Sequence, residues 1–344
     1  MRKVPIVIVG LHFGQHILRE HIVRGGGSKY FQLAGVCSKE AELTRKVAEE
    51  LGVRAYESIE QILADERIPA VGLFTGPVGR AELVSQCVRA GKHVITTKPF
   101  ELDPDRALTA FRDARAFKRV IHLNSPSPLP GEDIKKIDEW RKEYNLGRPV
   151  GCRAEAWASY REQPDGSWYD DPERCPVAPI FRLGIYLIND MVRIFGAAEK
   201  VSVMSSRMLT GRPTPDNAQL AIQFHKGEQA SIYASFCVGD GENWKNSMAI
   251  HFERGTIYRN VGPLPADYAP GQGHLSLVMA RGEKRTIKHA TTKSISGDYQ
   301  WDAFYKAIQG EKLHGEITAA HIAEGLRIIA AMRRAELSGK VETV

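Results

Sequence analysis

The 344-residue chain has no apolar stretch near the roughly 18–20 residues that a membrane-spanning helix needs. No membrane role is therefore expected. Its five cysteines (Cys37, Cys87, Cys152, Cys175, Cys237) are scattered, odd in number and form no C-x-x-C pair. Such spacing offers neither a zinc site nor a disulfide framework, and it suits a reduced, cytoplasmic setting. Internal repeats and low-complexity tails are missing, and the basic residues form no stripe with interleaved aromatics. Nucleic acid is thus a poor candidate partner, despite a net charge of +6. The opening MRKVPIVIVGLHFGQ carries two basic residues and a short apolar run but lacks a small-residue cleavage site. It reads as a buried strand entering a glycine turn rather than as a signal peptide.

What is present is ordinary globular composition, 43% hydrophobic and 26% charged, at a length that suits about two domains. Up to residue 124, short β-branched runs (6–9, 31–37, 70–75, 93–96, 120–123) alternate with helical stretches (14–23, 40–51, 80–90 and one capped by Asp103 with Pro104 behind it). That alternation predicts βαβ units in a doubly wound parallel sheet. The proline-rich SPSPLPG at 125–131 then reads as a hinge. Beyond it a helix (132–144), six strand-like runs between 150 and 258 and a long final helix (318–339) predict an α+β domain. Its sheet should be large and mostly antiparallel, with one face buried. The expected domains are 1–124 and 125–344. Two long irregular stretches, 160–179 and 262–273, are candidate substrate walls.

The first strand ends in Gly10-Leu11-His12-Phe13-Gly14-Gln15. A dinucleotide turn needs glycine for its bend and for close approach of backbone N–H groups to a pyrophosphate. Gly10 fits the first position of G-x-G-x-x-G, His12 and Gln15 replace the second and third glycines, and Gly14 sits one place early. A plain strand–turn–helix remains the rival reading. The second strand ends at Cys37-Ser38-Lys39 with no carboxylate to hold an adenosine ribose, so Ser38 and Lys39 favour a 2′-phosphate and hence NADP over NAD. The plainer reading of Lys39 is an exposed lysine at a helix start. His12 and His16, four apart, lack further metal-ligating partners, and no metal site is assigned. Asp170 and Asp171 read as solvated loop carboxylates rather than an acid/base pair.

Gly91-Lys92-His93-Val94-Ile95-Thr96-Thr97-Lys98-Pro99 resembles the strand and E-K-P motif of the Gfo/Idh/MocA family (glucose–fructose oxidoreductase, inositol dehydrogenase). Residues 181–190 (FRLGIYLIND) resemble that family's D-x-G-x-H-x-x-D stretch in its tyrosine-bearing branch. The segment Trp301–Glu311 is similar to a-F-x-x-A-I-x-x-G-E. The resemblance implies a Rossmann domain followed by an open-sheet α+β domain, assembled as a homodimer or homotetramer. It implies an NAD(P)-dependent oxidoreductase moving a hydride at a carbinol or carbonyl of a sugar, sugar acid or cyclitol. Lys98 and Tyr186 then take the catalytic positions. Gly10, His12, Phe13, Gly14, Ser38, Lys39, Thr75, Pro77, Thr97 and Lys98 line the cofactor. Arg182, Asn189, Trp157, Tyr160 and Trp168 face the substrate, with Tyr169 beside them.

Three departures stand out: Thr97 for the motif's glutamate, Arg182 for its aspartate and Arg80 where a histidine is common. Arg182, Tyr186 and Asn189 at i, i+4 and i+7 are expected to share one helix face. Arg182 there suggests an anionic substrate group; its plainer role is a structural ion pair, with Tyr186 a core aromatic. A non-catalytic NAD(P)-binding sensor or subunit is the alternative to an enzyme.

Overall fold

The structure, a computed structural model, describes residues 2–344 except 242–243, 265–267, 270, 283 and 314–316. The expected wall at 262–273 therefore lies partly outside the described residues. In chain order the elements are β1 (Val4–Val9), α1 (Phe13–Ile17), β2 (Phe31–Cys37), α2 (Ala41–Leu51), β3 (Arg54–Tyr56) and α3 (Ile59–Ala64). Next come β4 (Ala70–Leu73), α4 (Arg80–Arg89), β5 (His93–Thr96), α5 (Pro104–Ala116), β6 (Ile121–Leu123) and α6 (Glu132–Glu143). They are followed by β7 (Pro149–Ala158), α7 (Ile185–Phe195), β8 (Ala198–Ser206), β9 (Asn217–Phe224), β10 (Gln229–Ser235) and β11 (Trp244–Phe252). The chain finishes with β12 (Gly255–Arg259), β13 (Gly273–Arg281), β14 (Lys284–Thr292), α8 (Trp301–Ile308), α9 (Ala319–Ser338) and β15 (Glu342–Thr343).

The chain divides into two compact units, residues up to Leu129 with Tyr299–Ala319, and Pro130–Asp298 with Ala320–Val344. The first unit is a parallel sheet in the order β3-β2-β1-β4-β5-β6. Its central strands are buried along nearly their whole length because helices cover both faces. Asp103 caps α5 as its sequence position suggests. The carboxylate accepts from the N–H groups of Asp105 (2.8 Å) and Arg106 (3.2 Å), a contact worth about 1 kcal/mol. One difference concerns the late segment. It was expected in the second domain, yet Tyr299–Ala319 packs with the first. The reason is aromatic: Phe304 stacks on Phe31 at 5.3 Å, and Trp301 meets the same ring edge-on at 5.6 Å.

The second unit is a nine-stranded sheet, β14-β13-β12-β11-β7-β10-β9-β8-β15, antiparallel apart from the β7–β10 pair. Along β7, Cys152, Ala154, Ala156 and Ala158 are buried while Val150, Arg153 and Glu155 point outward. The buried face packs on a π-helical turn (Ile180–Gly184) and the α7 that continues it. A side chain on Gly184 would come within 3.4 Å of Ile232 of β10. β13 and β14 escape the sequence pattern because β14 is a polar, mostly exposed edge strand, and exposure removes the alternation that identifies a strand.

Beneath α7 lies a fully buried ionic cluster. Arg259 donates to Asp133 (2.7 Å) and Asp190 (2.9 Å) and also to the Asn246 amide oxygen, while the Ser296 hydroxyl donates to Asp190 (2.6 Å). Burial pushes the Asp190 carboxyl up, and the Arg259 charge opposes it. Removing one partner from such a cluster strands the others in a dry interior. Arg259→Met should therefore lose about 3–5 kcal/mol of stability in urea unfolding. An unchanged midpoint would show that the cluster contributes nothing net.

Candidate active site

In the first unit, parallel pairing brings strand ends to one edge. Val9 stands opposite Leu73 and Leu73 opposite Thr96. The strand order reverses between β1 and β4, the crevice position at which dinucleotides bind in open α/β sheets. Gly10 occupies this point with φ +88°, and a Cβ there would lie 2.7 Å from the Phe74 carbonyl oxygen. Only glycine fits. Gly14 packs closely as well, where a Cβ would stand 3.4 Å from both Ile8 and Phe74 side chains. It thereby provides the close helix–strand approach of the fingerprint's third glycine from one position early. His12 gives α1 no side-chain cap, which leaves the helix start to an anionic group. These features fit a nicotinamide dinucleotide.

His12 instead reaches sideways, its Nε2 2.6 Å from Glu40 Oε1. An acidic side chain thus does stand beside the end of β2, two residues later than the 37–38 junction where sequence reasoning looks for one. Ser38 is half-buried and accepts from the Glu40 N–H (3.3 Å), whereas Lys39 is exposed. Phe13 is 47% exposed, edge-on to Phe74 at 6.3 Å.

The loop after β5 is held from several sides. The Lys98 N–H donates to Asn124 Oδ1 (2.9 Å), and the Thr97 hydroxyl lies 3.4 Å from the same oxygen. Arg80, which stands where a histidine is common in the family, is 1% exposed and directed inward. Its guanidinium donates to the Thr97 carbonyl (2.7 Å) and to those of Pro99 and Thr75. Three convergent carbonyls form a better receptor for a buried cation than an open edge does. Pro77 is buried, and Thr75 half-buried beside it. Sequence reasoning missed Tyr299. Its hydroxyl is buried beside Thr97, and burial pushes the phenol well above the ordinary tyrosine range, against the pull of the Thr97 hydroxyl and the Arg80 charge. Only the return of the late segment to this unit reveals it.

In the second unit Tyr186 is half-buried on α7. Its ring meets Trp244 edge-on at 6.2 Å, and a side chain on Gly297 would sit 2.8 Å from the Tyr186 ring. Asn189 is buried, its Oδ1 so near α9 that a side chain on Gly325 would come within 2.4 Å. Arg182 lies in the π turn that runs into α7. It makes a two-pronged pair with Glu162 at 2.7 Å and 2.7 Å, with its guanidinium 3.7 Å from the Tyr169 ring centre and 4.6 Å from that of Phe236. Its charge is already matched, so the expected role as a receptor for an anionic substrate loses its basis.

The same network holds the 160–171 loop. Arg212 pairs with Asp165 (3.2 Å), Asp170 and Glu162 (3.5 Å). The Arg212 hydrogen bond keeps the Asp165 carboxyl well below its usual range. Asp170 is thus a structural partner and not solvated loop. Tyr160, 48% exposed, stacks on Phe236 at 5.8 Å, and Trp168 lies 4.3 Å from Tyr169. Trp157 is a further correction. Register pairs Lys245 with Trp157 and Trp244 with Ala158, so Trp157 lies on the sheet face opposite to Trp244 and Tyr186. There it carries the Lys245 ammonium 5.8 Å from its ring. Trp244 is the aromatic that shares Tyr186's side.

With this geometry in place, comparisons with known proteins decide the family. The model described as "Oxidoreductase family, NAD-binding Rossmann fold" matches residues 4–125, and the GFO/IDH/MocA C-terminal domain matches 134–258. The chain belongs to the Gfo/Idh/MocA oxidoreductase family. A UDP-N-acetylglucosamine 3-dehydrogenase of Acidithiobacillus ferrooxidans is 25% identical over 71% of this chain and 76% of its own. The scyllo-inositol 2-dehydrogenase (NADP+) IolW of Bacillus subtilis is 23% identical over 82% and 80%. GenD2 from gentamicin A biosynthesis, solved in complex with NAD, superposes with a TM-score of 0.76 over 100% of this chain and 97% of its own at 16% identity, a likeness of fold. Among the described residues, no helix is long and apolar enough to cross a membrane.

Because Glu162 faces both Arg182 and Arg212, Glu162→Gln should lower stability by about 2–4 kcal/mol and speed proteolytic cleavage within 160–171. Unaltered melting and cleavage would mean that the loop is held by other contacts.

Proposed function

We propose that this oxidoreductase uses NADP(H) on a neutral, polyhydroxylated small molecule, a sugar or cyclitol. The observation that carries the reading is the over-determined backbone around Lys98, at the same sheet edge as the glycine turn. A bound dinucleotide would supply the hydride acceptor or donor. Lys98 hydrogen-bonds the reacting oxygen of the substrate, and Tyr186 gives or takes its proton. Tyr160, Trp168 and Trp244 offer flat apolar faces to a sugar ring, and Asn189 orients a neighbouring hydroxyl. The activities named for the Acidithiobacillus and Bacillus relatives support a sugar-like substrate. The preference for NADP rests on Ser38 and exposed Lys39, with the Glu40 carboxylate occupied by His12. None of the five cysteines forms a disulfide, in keeping with a cytoplasmic enzyme. A homodimer or homotetramer is part of the same reading.

Two measurements test it. Lys98→Ala should lower kcat at least ~100-fold on a reactive polyol while the NADPH dissociation constant and the melting temperature hold. Equal turnover would remove Lys98 from the mechanism. If nucleotide binds but no member of a polyol panel turns over, the protein is a sensor or subunit rather than an enzyme. Lys39→Ala should weaken NADPH about tenfold, or about 1.4 kcal/mol, and leave NADH unchanged. Tighter binding of NADH by the wild type would instead make Glu40 a ribose acceptor.

A further inference from the structure

We propose that Arg80 and Glu101 form a reciprocal clamp that positions Lys98, an inference that rests on the catalytic role given to that lysine above. Arg80 opens α4, a ten-residue helix, at its first position. The helix dipole disfavours a cation there, and burial disfavours it further. A residue placed against both costs calls for a specific compensation, and three carbonyls on the two adjoining loops provide it. Thr97 and Pro99 flank Lys98 on either side, while Thr75 begins the loop after β4. A planar guanidinium with five N–H donors can serve all three carbonyls at once; a lysine ammonium has no such fork.

The traffic runs the other way as well. Glu101, 2% exposed, belongs to the same loop as Lys98, and its carboxylate accepts from the Ala81 N–H at the start of α4 (3.1 Å) and from the Leu102 N–H (2.8 Å). A carboxylate is suited to that helix end, where the dipole favours negative charge. The helix thus sends a side chain to the loop's carbonyls while the loop sends a side chain to the helix's amide. Asn124 fixes the Lys98 N–H from the β6 side. The backbone of Lys98 is thereby held relative to the Thr75–Pro77 loop by Arg80.

The experiment compares Arg80→Met, Arg80→Lys and Glu101→Gln with the wild type. Amide hydrogen exchange is followed in peptides covering 96–102, together with NADPH affinity, kcat and KM. Arg80→Met should speed exchange in that segment at least ~10-fold, keep NADPH affinity within ~3-fold and lower kcat ~100-fold with little change in KM. Arg80→Lys should recover part of kcat, and Glu101→Gln should loosen the same peptides to a smaller degree. Unchanged exchange in folded Arg80→Met overturns the clamp, as does a kcat loss matched by an equal loss of NADPH binding. If Arg80→Met does not fold, Arg80→Lys and Glu101→Gln decide; unchanged exchange in both overturns it. Failure of the catalytic reading looks different: Lys98→Ala would keep full turnover while Arg80→Met still loosened 96–102.

Discussion

The close approach of Gly10 to the Phe74 carbonyl is the constraint on which the first unit's site depends. It exists because β1 and β4 run parallel and end level, with the Phe74 N–H donating to the Val9 carbonyl (2.8 Å) and the Gly10 N–H to that of Cys37 (2.9 Å). A side chain at position 10 would push β1 from β4 and with it the loops that follow β4 and β5. The Thr75 loop and the Lys98 loop are the next two along this edge, and Arg80 joins them. The sheet thus sets the position of the site's backbone before any side chain acts. Precision then comes from buried polar contacts that water does not weaken.

Two arginines illustrate how similar residues acquire different meanings from their surroundings. Arg80 and Arg182 both stand where the family pattern carries another titratable group, and Arg182 reads as a charge available to a ligand. Both turn out to be nearly sheathed. Arg80 is solvated by carbonyl dipoles, and Arg182 is met by one carboxylate and the faces of Tyr169 and Phe236. The Thr97, Pro99 and Glu162 partners lie 17 to 20 residues away, so no local spacing announces them. A substituted catalytic position in this family therefore signals a rebuilt support as readily as a new substrate.

The legible part of the sequence was that governed by local rules. Parallel strands gave themselves away as continuous β-branched runs, Asp103-Pro104 as a capped helix start, and Gly10 as the turn. The face assignment of Trp157 failed because a two-residue period identifies two faces without saying which one meets α7. Only the register with β11, Trp244 opposite Ala158, resolves it. Tyr299 was illegible for a different reason. Its position depends on Trp301 and Phe304 docking on Phe31, more than 260 residues away in the chain, and no pattern in the late segment points to that partner.

The net charge of +6 takes its meaning from this accounting. Arg80, Arg182, Arg212 and Arg259 are all buried, and each is matched by carbonyls or carboxylates within its own unit. They hold loops and helices in place, and the three paired with carboxylates present little field to solvent, since a matched pair in the interior is close to neutral from outside. Each of the three ion-paired arginines brings at least one carboxylate with it, so these clusters add nothing to the cationic excess, which belongs to the remaining basic residues. Lys39 is exposed, one residue before the Glu40 that His12 engages. In the proposed function Tyr160, Trp168 and Trp244 meet a ring with hydroxyl groups and no net charge, and the pairing of Arg182 with Glu162 supports that reading.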